Sequence, residues 1–292
     1  MFKLRLLTGR LVLFTYLVFI APVLVIGIVK DDSVQKTEVL TRISAYVQRY
    51  YDQMQSVVSQ ETVILHSMGH DARPLFPSRQ LVYELRIEWD PVAEIGQRAK
   101  VVRELLSVNG RDPRPSDTPS CTDPKAMASE PLAMLLPEAQ NDYEFVLAGQ
   151  REVDGQLAVL VEYRSIAKAS AEVEWSDECI TIELEGRTRG RIWAEKATGR
   201  VLRFEEALTG PFTVPVPLDQ QRLGGPRRLV VERVDTSIRY KPVQFTEPTE
   251  TLLLPASIDR LTVVKNAGIP RMLMLQSFSR YQRFLTGARI VQ

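Results

Sequence analysis

The residue pair that most resembles a metal site is His66 and His70, whose spacing would place both imidazoles on one helical face. Zinc needs a third protein ligand, for which Asp71 and Glu61 are the candidates. Glycine and proline close to the pair favour a surface loop over a helix, and the chain contains no other histidine. We therefore expect a surface loop here, and we predict no metal site and no cofactor.

Cysteine chemistry rests on Cys121 and Cys179, which are 58 positions apart in the chain. A disulfide that closes a loop of this length would stabilise the fold by roughly 4 kcal/mol in the chain-entropy model. The alternative is two unpaired thiols, one in a loop and the other in a strand. The sequence leaves both open.

Other catalytic patterns are missing from the sequence. It contains no Gly-x-Ser-x-Gly elbow, no phosphate-binding loop and no dinucleotide fingerprint. Carboxylates are frequent between positions 172 and 185, but alternating strand residues explain them as a solvated face. The net charge of +1 provides no field that would attract nucleic acid. We expect a protein that is not an enzyme and does not bind nucleic acid.

The N-terminus indicates export. Positions 11–29 form 19 consecutive residues without a charge, preceded by Lys3, Arg5 and Arg10. As a helix this segment would measure about 28 Å, close to the hydrocarbon thickness of a bilayer. The basic flank favours a cytoplasmic N-terminus. Two interpretations remain open: an uncleaved anchor in the inner membrane, or a signal peptide whose cleavage releases the remainder on the periplasmic side.

A change of periodicity divides the rest of the chain. Apolar residues recur every three or four positions over 33–65, which predicts one amphipathic helix, followed by a loop over 66–78. From 81 the period becomes two, and turn signals such as Asn109-Gly110 and Asp154-Gly155 separate the predicted strands. We predict three regions: a signal or anchor at 1–30, a helix and loop at 31–78, and an antiparallel sheet domain at 79–292.

Basic residues lie among aromatic ones near the C-terminus, at Arg271, Arg280, Tyr281, Arg283, Phe284 and Arg289. Such a cluster could bind phosphates or acidic headgroups. We favour the alternative of an edge strand whose outward charges discourage aggregation.

The order of these elements resembles the periplasmic lipoprotein-carrier superfamily, the LolA/LolB-like fold. The hairpin that carries the resemblance reads GRIWAEKATGRVLRFE at 190–205, and its turn matches the pattern W-x-[DE]-x-x-[TS]-G from Trp193 to Gly199. Further matches are VVE at 230–232, Tyr240, LLLP at 252–255 and FSRYQRF at 278–284. The resemblance implies an α+β fold, in which the amphipathic helix packs on a wide, curved antiparallel half-barrel that encloses an apolar cavity.

The expected function is an exported cell-envelope protein that binds a lipid or another apolar group, with a lipid or a lipoprotein as its partner and the membrane contacted through residues 11–29. The alternative is an envelope interaction or structural domain without a ligand, whose sheet is filled by its own helix. The residues expected to line the cavity come from one face of the strands: Leu85, Ile87, Trp89, Phe145, Leu147, Trp193, Leu202 and Phe204.

Overall fold

The computed structural model describes residues 32–54, 57–75, 77–89, 99–117, 123, 132–166, 172–176, 179–183, 186–221, 224–246 and 249–283. The apolar segment 11–29 and Cys121 lie outside these ranges, as does the side chain of Cys179, so the anchor and the disulfide stay predictions. No helix within the described ranges is long and apolar enough to cross a membrane.

The helix α1 spans Asp32–Met54 and is shorter than predicted. Residues 57–65, which the sequence analysis placed in the helix, belong to strand β1, Val57–Ser67. This stretch is rich in β-branched residues (Val57, Val58, Thr62, Val63 and Ile64), which lose side-chain freedom in a helix and pack well in a sheet. The helix prediction was therefore wrong for residues 57–65.

Twelve further strands follow within the described residues. Their bounds are β2 Arg79–Trp89, β3 Ala99–Val108, β4 Tyr143–Val153, β5 Gln156–Ser165, β6 Glu172–Ser176, β7 Cys179–Glu183, β8 Thr188–Glu195, β9 Val201–Leu208, β10 Phe212–Pro215, β11 Arg228–Thr246, β12 Thr249–Lys265 and β13 Arg271–Arg283. Short 3-10 turns occur at Ala133–Leu135, Gln140–Asp142 and Leu218–Gln220.

Eleven strands form one open antiparallel sheet with the order β3-β2-β1-β13-β12-β11-β9-β8-β5-β4, and β10 pairs with β11 beside this path. Strands β6 and β7 form a separate hairpin. The predicted sheet-dominated architecture is confirmed: the described residues form a large open antiparallel sheet and one α-helix. The prediction of an edge position for the C-terminal strand was wrong: β13 lies between β1 and β12.

The predicted hairpin turns are present. Asn109-Gly110 and Asp154-Gly155 both have two successive positive φ angles, near 50° and 77°, as expected for two-residue hairpin turns. In the last long hairpin, β11 and β12 continue through Pro242 and Pro255. Pro255 pairs with Tyr240 at a register shift, where a missing N–H interrupts the ladder least.

The two faces of the sheet differ. We call the face on which α1 packs the inner face, and the opposite one the outer face. The inner face carries the main apolar cluster, in which Phe204, Ile192 and Val161 of neighbouring strands are fully buried together with Ile43 and Val47 of α1. The outer face is largely charged between β4 and β12.

Candidate functional site: the groove beside helix α1

Helix α1 covers only part of the inner face. Its second half packs tightly: the ring of Tyr50 makes an edge contact with that of Tyr240, with centroids 6.3 Å apart. Burial raises the pKa of both phenols well above the usual value of 10, so both hydroxyls remain protonated. This half of the inner face is filled by the chain itself.

The first half of α1 rests against the β8–β9 turn. The Arg42 guanidinium donates to the carbonyl oxygen of Lys196 at 2.8 Å and to the Glu38 carboxylate at 3.0 Å. Gly199 has a φ of +76°, and a Cβ there would lie 2.7 Å from the carbonyl oxygen of Arg42. The glycine of the Thr-Gly turn therefore allows the helix backbone to approach the hairpin.

A groove of about 710 Å³ opens between this half of α1, the β4–β5 hairpin and the β8–β9 turn. We call it the α1 groove. Its apolar floor consists of Val39, Leu147 and Val159, which pack against the main cluster, and of Leu157, which is 52% exposed. The polar residues that line it are Gln35, Glu38, Arg42, Gln150, Gln156, Glu195 and Lys196.

Two polar groups of the α1 groove have missing or weak hydrogen bonds. The amide oxygen of Gln156 is buried without a hydrogen-bond partner. The Lys196 ammonium lies 3.5 Å from the amide oxygen of Gln150, at the limit of hydrogen bonding. A buried acceptor without a donor costs free energy, and a ligand that donates to it would recover that cost.

The structure brings together part of the predicted cavity lining. Leu85, Phe145 and Phe204 are buried in the main cluster, and Leu147 lies in the floor of the α1 groove. Leu202 is buried beside a register shift between β8 and β9. Ile87 and Trp89 lie in β2, but their side chains are outside the described part of the structure.

Trp193 does not share a face with Phe204. The register pairs Trp193 with Arg203 and Ile192 with Phe204, and successive strand residues alternate between faces. The indole lies between the guanidinium groups of Arg191 and Arg203, at 5.3 and 5.1 Å from the ring centroid. Trp193 is also buried and belongs to the main apolar cluster, so its environment combines apolar packing with cation–π contacts.

A buried ion pair on the inner face was not predicted from the sequence. Glu61 of β1 is 0% exposed and accepts hydrogen bonds from Arg103 of β3, at 2.5 and 3.2 Å, and from the Gln276 amide of β13, at 2.5 Å. Burial is the largest of the effects that raise the pKa of the adjacent Tyr83 to about 12. The alternating pattern of 57–67 was the available signal, because it places Glu61 on the same face as Val63 and Leu65.

A second polar group lies farther along the inner face. The hydroxyl of Tyr163 donates to the Glu206 carboxylate at 3.1 Å, and burial raises the pKa of Glu206 above its usual value of 4.5. Arg260 is nearby and donates to the hydroxyl of Thr236 at 3.2 Å; burial lowers the pKa of its guanidinium. Gly190 separates Tyr163 from Glu206 across the sheet, where a Cβ would lie 2.7 Å from the phenol.

The histidines do not form a shared site. His66 is in β1 rather than in the predicted loop, and its Nδ1 is hydrogen-bonded to the Ser78 hydroxyl at 2.6 Å. His70 is exposed in the following turn, where its carbonyl oxygen accepts from Arg271. Within the described ranges, no three His, Cys, Asp or Glu side chains come together in a way that could hold a metal ion.

Comparison with solved structures finds weakly similar folds. A LolA superfamily protein from Nitrosomonas europaea matches with 10% identity and a TM-score of 0.36, over 88% of this chain and 96% of that one. A DUF1329 family protein from Desulfovibrio piger has 9% identity and a TM-score of 0.40, over 88% and 95%. An outer membrane lipoprotein-sorting protein domain from Vibrio parahaemolyticus has 12% identity and a TM-score of 0.41, over 86% and 94%.

No family model matches the chain, and no curated protein matches its sequence.

Proposed function

We propose that the protein is a non-enzymatic component of the cell envelope that binds a lipid or another apolar ligand in the α1 groove. The observation that supports this most is the apolar floor of Val39, Leu147 and Val159, which continues into the main core yet is left open by the helix. The groove volume of about 710 Å³ lies in the range of small-molecule sites.

The polar rim suits a ligand with one polar end. An apolar chain would replace water on the floor, and a donor on the polar end would reach the Gln156 oxygen. The basic flank and uncharged run at 11–29 support export, with the remainder of the chain on the periplasmic side as an anchored or a released protein.

A second candidate is an envelope interaction domain that holds no ligand. The packing beneath the second half of α1 favours it, because Val47 and Phe204 are 0% exposed and leave no room there. The two candidates differ in whether the α1 groove is occupied in the membrane-associated protein.

Photo-crosslinking with a diazirine-bearing palmitate tests the proposal on the full chain in its native membrane. We expect adducts in peptides that contain residues 35–42 or 147–159, and we expect Leu147→Glu to reduce them several-fold. The matched control is Val146→Glu, a neighbour on the outer face that is 53% exposed, which should leave the adducts unchanged.

Because Leu147→Glu could lower stability, Leu157→Glu provides a second test at a position that is already half exposed. Thermal unfolding of each variant checks that the fold is intact. Adducts confined to other parts of the chain, or adducts in the groove that neither variant reduces, would contradict a lipid site and favour the interaction domain.

A further inference from the structure

A second groove lies on the outer face, opposite α1, with a volume of about 790 Å³. We call it the outer groove. It crosses the strands from β4 to β13. Two rows of outward side chains form it, as the strand register shows. The first row runs from β4 to β13 and consists of Glu144, Arg164, Arg189, Ala207, Asp235, Leu261 and Leu273. The second row runs from β4 to β12 and consists of Val146, Glu162, Arg191, Glu205, Ser237 and Asp259.

Small side chains form the depression. Ala207 of β9 and Ser237 of β11 lie in the middle of the two rows, between the longer side chains of the outer strands. Because the side chains of Ala207 and Ser237 extend only a short way above the backbone, a peptide chain that crosses the strands could pack on these two residues. This floor differs from that of the α1 groove, which is apolar.

The two ends of the outer groove differ in charge. At one end, the outward side chains of β4, β5 and β8 include three arginines and two glutamates. At the other end, those of β9, β11 and β12 include three carboxylates and one arginine. Several of these charges are paired, including Arg164 with Glu144 and Arg233 with Asp235.

Three charges of these two rows are unpaired. Among the described residues, Arg189 and Glu162 at the basic end and Asp259 at the acidic end have no ion pair or side-chain hydrogen bond. Arg189 lies directly across from Arg164, whose own charge is paired with Glu144. Arg189 and Asp259 are therefore available to a partner that carries both signs of charge.

The distance between them defines the partner. Arg189 and Asp259 are three strand spacings and two residues apart, which corresponds to about 16 Å between their backbones. A lipid headgroup is too short to reach both. In an extended peptide, the residues at positions i and i+4 are separated by about 14 Å and point to the same side. Long side chains bridge the difference between this spacing and the roughly 16 Å that separates Arg189 from Asp259. Leu261 lies two residues from Asp259 on β12, and Leu273 is its partner on β13. Both are half-buried and could contact an apolar side chain.

We propose that the outer groove docks an extended polypeptide segment with an acidic residue, a basic residue four positions later, and an apolar residue two positions beyond. The acidic residue contacts Arg189, the basic residue contacts Asp259, and the apolar residue packs on Leu261 and Leu273. Because this site lies on the opposite face from the α1 groove, it does not depend on the lipid proposal.

Fluorescence anisotropy with two labelled ten-residue peptides in a Ser/Thr host tests this on the full chain. One probe has Glu at position 3, Lys at 7 and Leu at 9; the other replaces the Lys with Glu. We expect the first to bind about fivefold more tightly, as suits exposed charge pairs, and the difference to shrink at high salt.

Asp259→Lys should reverse the order of the two probes, because the acidic end becomes basic. Arg189→Glu is an independent variant, which should weaken both probes and favour a third that carries Lys at positions 3 and 7. The matched control is Glu104→Lys, the same type of change at an exposed outer-face position of β3; it should preserve the order of the first two probes. An unchanged order in a folded Asp259→Lys variant, or no binding of any probe to the wild type at about 1 mM, would overturn the proposal.

Discussion

The inner and outer faces of the same sheet both hold arginine–carboxylate pairs, but in opposite environments. The side chains of Arg103 and Glu61 on the inner face are 11% and 0% exposed. Those of Arg164 and Glu144 on the outer face are 63% and 53% exposed. Water solvates the outer charges whether or not they pair, whereas each inner charge depends on its partner. The same pair of residue types therefore has different consequences for stability.

The largest expected effect follows from removing one inner partner. Arg103→Ala leaves the Glu61 carboxylate buried with only the Gln276 amide as a donor among the contacts described above. We expect the free energy of unfolding to fall by about 3–5 kcal/mol, measured by chemical denaturation. The outer-face control Arg164→Ala, which loses the exposed pair with Glu144, should cost at most about 1 kcal/mol. Equal losses in the two variants would contradict the comparison.

A smaller effect is expected where α1 meets the sheet. Gly199→Ala places a Cβ 2.7 Å from the carbonyl oxygen of Arg42, in addition to the strain of a positive φ. Gly155→Ala has the same φ but no atom within 4 Å of its Cβ, so it isolates the strain, about 1–2 kcal/mol. We expect Gly199→Ala to cost about 1–3 kcal/mol more than this control, by thermal or chemical unfolding.

If the two glycine variants are equally destabilised, the close approach of the helix to the hairpin contributes nothing to stability. If Gly199→Ala loses more stability than Gly155→Ala and palmitate crosslinking in the α1 groove also changes, the close contact between α1 and the β8–β9 turn helps to shape the proposed lipid site.

The smallest effect concerns pH. Burial raises the pKa of Glu206, so the folded protein retains this proton after the unfolded chain has lost it near pH 4.5. The stability associated with Glu206 is therefore fully present below about pH 4.5 and decreases as the pH rises through its raised pKa. We expect Glu206→Gln, which keeps a similar shape, to flatten this decrease in unfolding curves recorded between pH 4 and 8.

The matched carboxylate is Glu195, whose pKa is lowered by hydrogen bonds from Arg200 and Thr198. The stability associated with Glu195 therefore depends on pH in the opposite direction. This stability is present above about pH 4.5 and is lost as the pH falls through the lowered pKa of Glu195. Glu195→Gln should therefore flatten the acid side of the profile only. Identical changes in the two profiles would show that burial does not distinguish these two carboxylates.

Local chemistry was sufficient to predict much of the sheet. The Asn109-Gly110 and Asp154-Gly155 turns and the strands beside them follow from residue type and spacing, because a two-residue hairpin turn requires positive φ angles that these residues tolerate. The amphipathic pattern likewise predicted α1 as far as Met54. Beyond that point an apolar spacing compatible with a helix concealed β1, whose partners β2 and β13 are distant in sequence.

The sequence by itself thus determined the period of each segment, the turns that reverse the chain and the choice of an antiparallel sheet. The tertiary structure alone decided that Glu61 meets Arg103 and Gln276, that Trp193 and Phe204 lie on opposite faces, and that α1 leaves a groove along β4 and β5. The physical reason is that turns and periodicity depend on neighbouring residues. Strand register and helix placement instead depend on contacts between segments far apart in the chain, which no short pattern specifies.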